Sequence, residues 1–349
     1  MNFYTKFLRK LVLELVPFSI IKERNKKRID YTYIKNFVKK LFYITKIRKF
    51  FGELNGFKIA FDLLDDSYSK NILIRIMVAH IYGFNNVHVA PKIYSIWAKK
   101  ESLYNKIKTD ETYSDNYFDL DLLDLNKIGI PIKLFDNVKG SFNSYLFKQY
   151  EYNHSLVIEA LEGDIIIDAG GGHGNTAFYF ATKVKNTGRI YTFEFIDSNL
   201  KILTKNLSFN PELTKLIEVV KFPLWSTSDQ ELYIIEAGSS SMIRSDPQKK
   251  SSKKIKTISI DDFVKRENIK KVDFIKMDIE GAEPEAILGA KETLVKFQPK
   301  LAISVYHEFD HYYKIPQLIN SINPKYKFYL DHFSIRPSES VLFAVVDSE

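Results

Sequence analysis

The stretch Ile165–Thr176, IIIDAGGGHGNT, constrains this chain more than any other. Three isoleucines end in Asp168. Gly170, Gly171, Gly172 and Gly174 then precede helix-compatible residues from Thr176 to about Val184. Strand, glycine turn and helix in that order open a nucleotide-binding α/β unit. Glycine is needed there because the backbone must reach angles closed to other residues. It must also approach a ligand that a Cβ would push away. A dinucleotide fingerprint would read G-x-G-x-x-G, and counted from Gly170 the sixth position is Asn175. What remains is an acid followed by Gly-x-Gly-x-Gly. That order suits S-adenosylmethionine, whose tail ends in an ammonium, better than the pyrophosphate of NAD. A purely structural turn is the bland alternative.

The pattern around this turn is regular from Ser141 onward. A helix is expected over about Tyr145–Leu161, before the glycine-turn strand at 164–168. Arg189–Phe195 reads as a second strand, Asn199–Ser208 as a helix and Ile217–Phe222 as a third strand. Leu232–Glu236 reads as a β segment, and Gly238–Lys254, rich in Ser, Lys and Gly, as a mobile loop. Ile255–Ile260 reads as extended and Lys271–Met277 as a fourth strand. Glu283–Val295 is expected to be helical, Leu301–Tyr306 a fifth strand and Ile315–Ile322 a helix. Lys327–Asp331 and Val341–Val346 close the chain as an antiparallel pair. Strands alternating with helices give a mainly parallel sheet with an antiparallel C-terminal edge.

Upstream the reading is poorer. Asn71–Ile81 looks like a buried helix, Val87–Ala90 a short strand, Asp110–Asp124 an acidic, aromatic stretch and Ile128–Phe135 extended. His80 and His88 sit in apolar company and read as core or cap residues. Residues 1–50 hold fourteen Lys or Arg against three acids, so of the net charge of +8 the rest of the chain carries −3. That body is close to neutral and shows no basic stripe interleaved with aromatics, so no nucleic-acid partner is expected. Phe3, Phe7, Leu11 and Leu15 share one side of an N-terminal helix ended or kinked at Pro17, and KERNKKR (Lys22–Arg28) and a basic amphipathic stretch Tyr31–Phe51 follow. Glu14 interrupts a run far short of the roughly 20 residues needed to span a bilayer. Residues 1–51 are therefore expected either to touch an anionic membrane surface or to pack on the body or a second subunit. There is no cysteine, which excludes disulfides and thiolate metal sites and permits a cytoplasmic location, peripheral to the inner membrane face if the lipid contact is made.

In parallel sheets ligands bind beyond the carboxyl ends of the strands. The polar residues expected there are Asp168, Glu194, Trp225, Ser226, Asp278, His307 and His332. Glu194, 24 residues after Gly170, is placed to accept both ribose hydroxyls. FIKMDIEGAE, Phe274–Glu283, is the second dense motif. There Asp278 is expected to face the cleft, while Glu283, followed by Pro284, reads as a helix cap.

Together these blocks resemble the FkbM-type family of S-adenosylmethionine-dependent methyltransferases. The match runs from about residue 155 to 346 through IIIDAGGGHGNTAFYFA, YTFEFIDSNLKILTKNLSFN, ISIDDFV, VDFIKMDIEGAEPEAILGA, LAISVYH and YLDHFS…SVLFAV. Two departures stand out: Gly171, Gly172 and His173 where the family's turn runs closer to G-A-N-x-G, and Phe195 where a proline usually follows the acid. The resemblance implies a Rossmann-like class I methyltransferase sheet over 141–349, with a mostly helical N-terminal extension in which 52–140 has no assigned role. It implies O-methylation, often of a sugar hydroxyl on a glycan or of a natural product, in glycan biosynthesis. The expected donor site is Asp168, Gly170, Gly172, His173, Gly174, Glu194, Trp225 and Ser226. Glu280 is expected to contact the acceptor, and His307, His332 or Asp278 to take its proton, since an alcohol is a poor nucleophile until deprotonated. Asp278, Glu280 and the histidines are hard or borderline metal ligands, but no H-x-x-x-H spacing or tight carboxylate cluster is read among them, so no metal is expected. An NAD-dependent oxidoreductase, and a non-catalytic membrane-surface protein keeping the fold, are the competing readings.

Overall fold

The computed structural model describes residues 3, 4, 6, 7, 10, 52–235, 241–244 and 253–347. The basic stretches at 22–28 and 31–51 lie outside the described residues. A helix over 52–63 leads to Asp66, whose carboxylate accepts from the Ser69 amide and caps helix α1, Ser67–Tyr82. This helix is buried along most of its length, as its apolar run requires. Val87–Ala90 does not form a strand; it leads into a helix, Pro91–Trp97, started by its proline. The acidic stretch folds as a three-stranded antiparallel sheet of β1 (Lys108–Ser114), β2 (Asp119–Asp124) and β3 (Lys133–Asp136).

Next come β4 (Ile165–Ala169), α2 (Asn175–Val184), β5 (Arg189–Phe193), α3 (Asp197–Phe209) and β6 (Ile217–Val220). A small antiparallel sheet follows, formed by β7 (Glu231–Ile235), β8 (Met242–Arg244) and β9 (Lys254–Lys256). The chain then runs through α4 (Ile260–Arg266), β10 (Phe274–Met277), α5 (Glu283–Leu288), β11 (Lys300–Ser304), α6 (His311–Ile322), β12 (Tyr326–His332) and β13 (Ser340–Val346). The main sheet has seven strands in the order β12-β13-β11-β10-β4-β5-β6. The pairs from β11 to β6 are parallel, and both pairs made by β13 are antiparallel. The strand order reverses beside β4, and ligands in open α/β sheets bind at such a reversal.

Alternate residues on a strand face opposite sides. Ile167, Ile275 and Ile303 join one apolar core, with α1 and Phe57; Ile166, Phe274 and Ala302 join the other, with Phe178 and Phe180 of α2. Both faces are covered, hence the unbroken apolar strands. The N-terminal region is part of this packing. Leu64 bridges Phe328 in β12, and Phe3 and Phe7 are buried, with Phe3 edge-on to Phe61 at 5.3 Å between ring centres.

Three further expected elements are corrected. Tyr145–Leu161 is not a helix but a π-helical turn, Phe142–Leu146, and a tight pairing of Tyr152–Asn153 with Val157–Ile158. The polar Asn153-His154-Ser155 favours a turn, and the Tyr152 ring is fully buried with its hydroxyl bonded to Asp66. Glu283–Val295 is two helices, because Gly289 interrupts it; a Cβ there would strike the Trp225 carbonyl oxygen. Within the expected mobile loop, Met242–Arg244 is a strand; residues 236–240 and 245–252 are outside the described residues. Among the described residues no helix is long and apolar enough to cross a membrane.

Candidate active site

A cavity of about 560 Å³ opens over the carboxyl ends of β4, β5 and β10. That is within the usual range of small-molecule sites. One wall is the glycine turn. Gly170 (φ 85°) and Gly172 (φ 52°) have left-handed backbones. A Cβ on Gly170 would collide with the Asp278 carbonyl, whereas one on Gly172 would meet nothing and point into open space. Gly170, Gly172 and His173 line the cavity; Gly174 starts α2 and packs toward Leu203 instead.

Asp168 is fully buried behind the turn and does not line the cavity. It accepts from Thr176 Oγ1 and from Thr192 Oγ1, and pairs with Lys276 Nζ at 3.1 Å. Lys276, itself 1% exposed, donates to the carbonyls of Ala169 and Gly170 at 3.0 and 2.7 Å. The acid read from the sequence as a ligand contact is thus the anchor of a clamp that ties the turn to β10. Sequence reading missed Lys276, although its place beside Asp278 in a strand otherwise apolar was a signal: a buried lysine needs a partner.

Glu194 lines the cavity, as expected for a ribose-binding acid, but in an unexpected state. Its Oε1 accepts from the amides of Phe195 and Ile196, and its Oε2 from the Gly172 amide at 2.9 Å and Asn199 Nδ2 at 3.0 Å. A carboxylate offers about four acceptor sites, so all are filled from within. Burial raises its pKa against the pull of these donors. Trp225 and Ser226 do not line the cavity; the wall from that loop is Phe222, Pro223 and Leu224.

The rest of the lining includes residues the sequence left without a role. Asn137, Asn143, Ser144, Gln149 and Tyr150 follow β3 through the π-helical turn, and Glu339 approaches from the loop before β13. Gln149 Nε2 donates to Glu339 at 2.9 Å, and Lys139 pairs with the same carboxylate at 2.7 Å. A single π-helical turn of this kind is rare and recurs at functional sites.

The acidic cluster after β10 sorts itself by what each group faces. Asp278 accepts from the hydroxyls of Tyr150 (3.0 Å) and Tyr306 (3.1 Å) and lies 3.1 Å from His307 Nε2. Burial pushes its carboxyl up, but His307 and these donors outweigh that and hold it well below the usual range. Both tyrosines are raised by burial and stay neutral donors. Glu280, with φ 54°, lines the cavity, and burial raises its carboxyl to about 7. His307 Nε2 lies 3.7 Å from its carboxylate. Glu283 is fully buried, accepts from the Ile279 amide at 2.9 Å, and lies 2.8 Å from His307 Nδ1 and 3.5 Å from His311 Nδ1. It is more than a helix cap.

His307 is therefore not placed as expected. Its side chain is behind the lining, between Asp278 and Glu283. Burial opposes a charge on the ring, but the two carboxylates push its pKa up to about 11, so it holds its proton at neutral pH. A ring already protonated cannot accept another proton. His332 is further removed: it is buried, outside the cavity, with Nδ1 2.7 Å from Ser340 Oγ, and burial lowers it to about 3. Neither histidine is set up as the base. A further feature escaped the sequence reading: His307 and His311 are an H-x-x-x-H pair, and Glu283 lies against both.

Residues 168–332 match the family model described as the methyltransferase FkbM domain. Among solved structures, the methyltransferase FkbM from Methylobacillus flagellatus KT aligns with a TM-score of 0.53 at 18% identity, over 84% of this chain. The chain spans 58% of that protein's length. Aeropyrum pernix fibrillarin, solved with S-adenosyl-L-methionine, aligns over 68% of this chain and all of that one, at 12% identity and TM-score 0.34. An O-methyltransferase from Bacillus cereus in complex with SAH aligns over 74% of this chain and 91% of that one, at 14% identity and TM-score 0.34. No curated protein matches.

Proposed function

We propose, for a chain whose residues 168–332 carry a methyltransferase domain of the FkbM type, that it transfers a methyl group from S-adenosylmethionine to a hydroxyl of a sugar, glycan or related natural product. The observation that carries this reading is one cavity with two unlike walls. A glycine turn and the Glu194 carboxylate line one stretch of it, and amides, hydroxyls and Glu280 another.

The first wall fits an adenosyl donor. Gly172 leaves open space where a side chain would stand, and Glu194 is the acid at the end of the second parallel strand. Since its acceptor sites are filled, a ribose hydroxyl has to replace one internal donor. The Asn199 amide, on a side chain, moves more cheaply than a backbone N–H. Bound there, S-adenosylmethionine supplies an electrophilic methyl on a sulfonium. A carboxylate held against that sulfonium would stabilise the ground state more than the transition state, so the acids do their work elsewhere.

The second wall handles the acceptor. Asn143, Ser144 and Gln149 match the alternating donors and acceptors of a polyhydroxyl compound. Asp278 fixes the Tyr150 and Tyr306 rings through their hydroxyls. Glu280 faces the cavity, its carboxylate 3.7 Å from His307 Nε2, and takes the acceptor's proton in this scheme. Holding the reacting groups near contact supplies much of the acceleration. The test is incorporation of radiolabelled methyl from S-adenosylmethionine into envelope polysaccharide, lipid-linked glycan and small-molecule fractions. Label in a base-stable, ether-linked product supports the reading; label only in protein, nucleic acid or base-labile ester contradicts it.

A further inference from the structure

We propose that Asp278, Glu283 and His307 form a binding site for a divalent first-row transition metal, with His311 and Glu280 at its margin. One oxygen or nitrogen from each of the three lies within 4.8 Å of the others. They converge from three elements: the end of β10, the first residue of α5 and the loop after β11. The β10–α5 turn, closed by the Ile279 amide on Glu283, brings the two acids together, and the neighbouring strand β11 brings His307 between them.

Two features point to a ligand rather than to a self-contained ion pair. The first is depth. Glu283 is fully buried, and the His307 side chain is 7% exposed. The second is direction. His307 Nε2 is 3.1 Å from Asp278 and Nδ1 is 2.8 Å from Glu283, but neither nitrogen makes an aligned hydrogen bond. Glu283 Oε2 and His311 Nδ1, 3.5 Å apart, are equally unmatched. A buried ion pair that served only itself would gain most from in-line N–H···O geometry, and leaving it misaligned is costly. Atoms that share an ion behave differently. With metal–ligand bonds of roughly 2.1 Å, neighbouring ligands stand about 3 Å apart, each aimed at the ion and not at the other.

The donor set selects the ion. One imidazole with carboxylates favours Mn²⁺, Fe²⁺, Co²⁺ or Zn²⁺ over Ca²⁺ or Mg²⁺, which take oxygen shells. The ion would displace to solvent the proton on whichever ring nitrogen of His307 takes it, leaving the other N–H facing a carboxylate. That second contact is what usually orients a metal-bound histidine. His311 Nδ1 stands 3.5 Å from the other oxygen of Glu283, at the margin of the site. Asp278 is the member that also lines the cavity, so the ion would sit at the cavity's acceptor side. This placement rests on geometry alone and does not depend on which acceptor is methylated.

The test uses the full chain, stripped with a chelator and dialysed, then titrated with Mn²⁺, Co²⁺ and Zn²⁺ separately. Bound Mn²⁺ is read by loss of the free-ion paramagnetic resonance signal, bound Co²⁺ by its visible absorption and Zn²⁺ by calorimetry. One equivalent of at least one of these ions should bind saturably. Asp278→Asn and His307→Ala should weaken it by ten-fold or more, and Glu308→Gln, an exposed acid in the same loop, should not. Circular dichroism keeps misfolded variants out of the comparison. The wild-type titration stands without them: no saturable binding of any of the three ions overturns the proposal. Equal binding by well-folded Asp278→Asn and His307→Ala proteins overturns it too.

Discussion

Glu280 and His307 lie 3.7 Å apart, yet only one of them faces the cavity. Glu280 presents a carboxylate to the acceptor wall, whereas the His307 ring is wedged between Asp278 and Glu283. Glu280→Gln should therefore lower turnover by about 10²- to 10⁴-fold while leaving S-adenosylhomocysteine affinity unchanged. Initial rates beside calorimetry decide this, and full turnover in the variant removes Glu280 from the base role. His332 gives a different prediction. Buried and lowered to about 3 from an ordinary 6.5, it refuses a proton that the unfolded chain accepts. Below about pH 6.5 the unfolded state then binds more protons, so stability should fall as the pH drops toward 3. Denaturant midpoints across that window should show a slope that is reduced in His332→Gln; an equal slope in both proteins would mean that His332 titrates freely.

At the level of elements, the glycine turn is held from behind. Asp168 and Lys276 clamp β4 to β10 and leave the turn's backbone to face the ligand. Gly172→Leu places a side chain where nothing now stands. It should abolish S-adenosylhomocysteine binding at a backbone cost of about 1–2 kcal/mol for a left-handed non-glycine residue. A modest fall in melting temperature with no heat of binding is the expected pair of results. Retained binding would move the donor away from the turn. Most strands of the main sheet were legible in the sequence because they are short apolar runs beside a glycine, proline or acid; β1, β2 and β8, polar or very short, were not. The crevice was legible too, since it follows from strand order. The acceptor wall was not. Asn137, Asn143 and Gln149 lie in short turns with no periodicity, and only folding brings them to the same cavity as Glu280. Asp168 was misassigned for a related reason: sequence shows that an acid precedes the turn, not that a lysine on the neighbouring strand claims it.

Across the whole molecule, the N-terminal region is continuous with the sheet's packing. The 52–63 helix, α1 and the buried Phe3 and Phe7 share a core with β10 and β11. Phe3→Ala should cost about 3–5 kcal/mol, read as a lower denaturant midpoint, and no loss would detach the chain's start from the body. The measurement that bears most directly on the account is calorimetric titration of the folded full chain with S-adenosylhomocysteine. One-site binding, lost in Gly172→Leu, is the predicted result. A well-folded protein that takes up neither this compound nor S-adenosylmethionine contradicts the account.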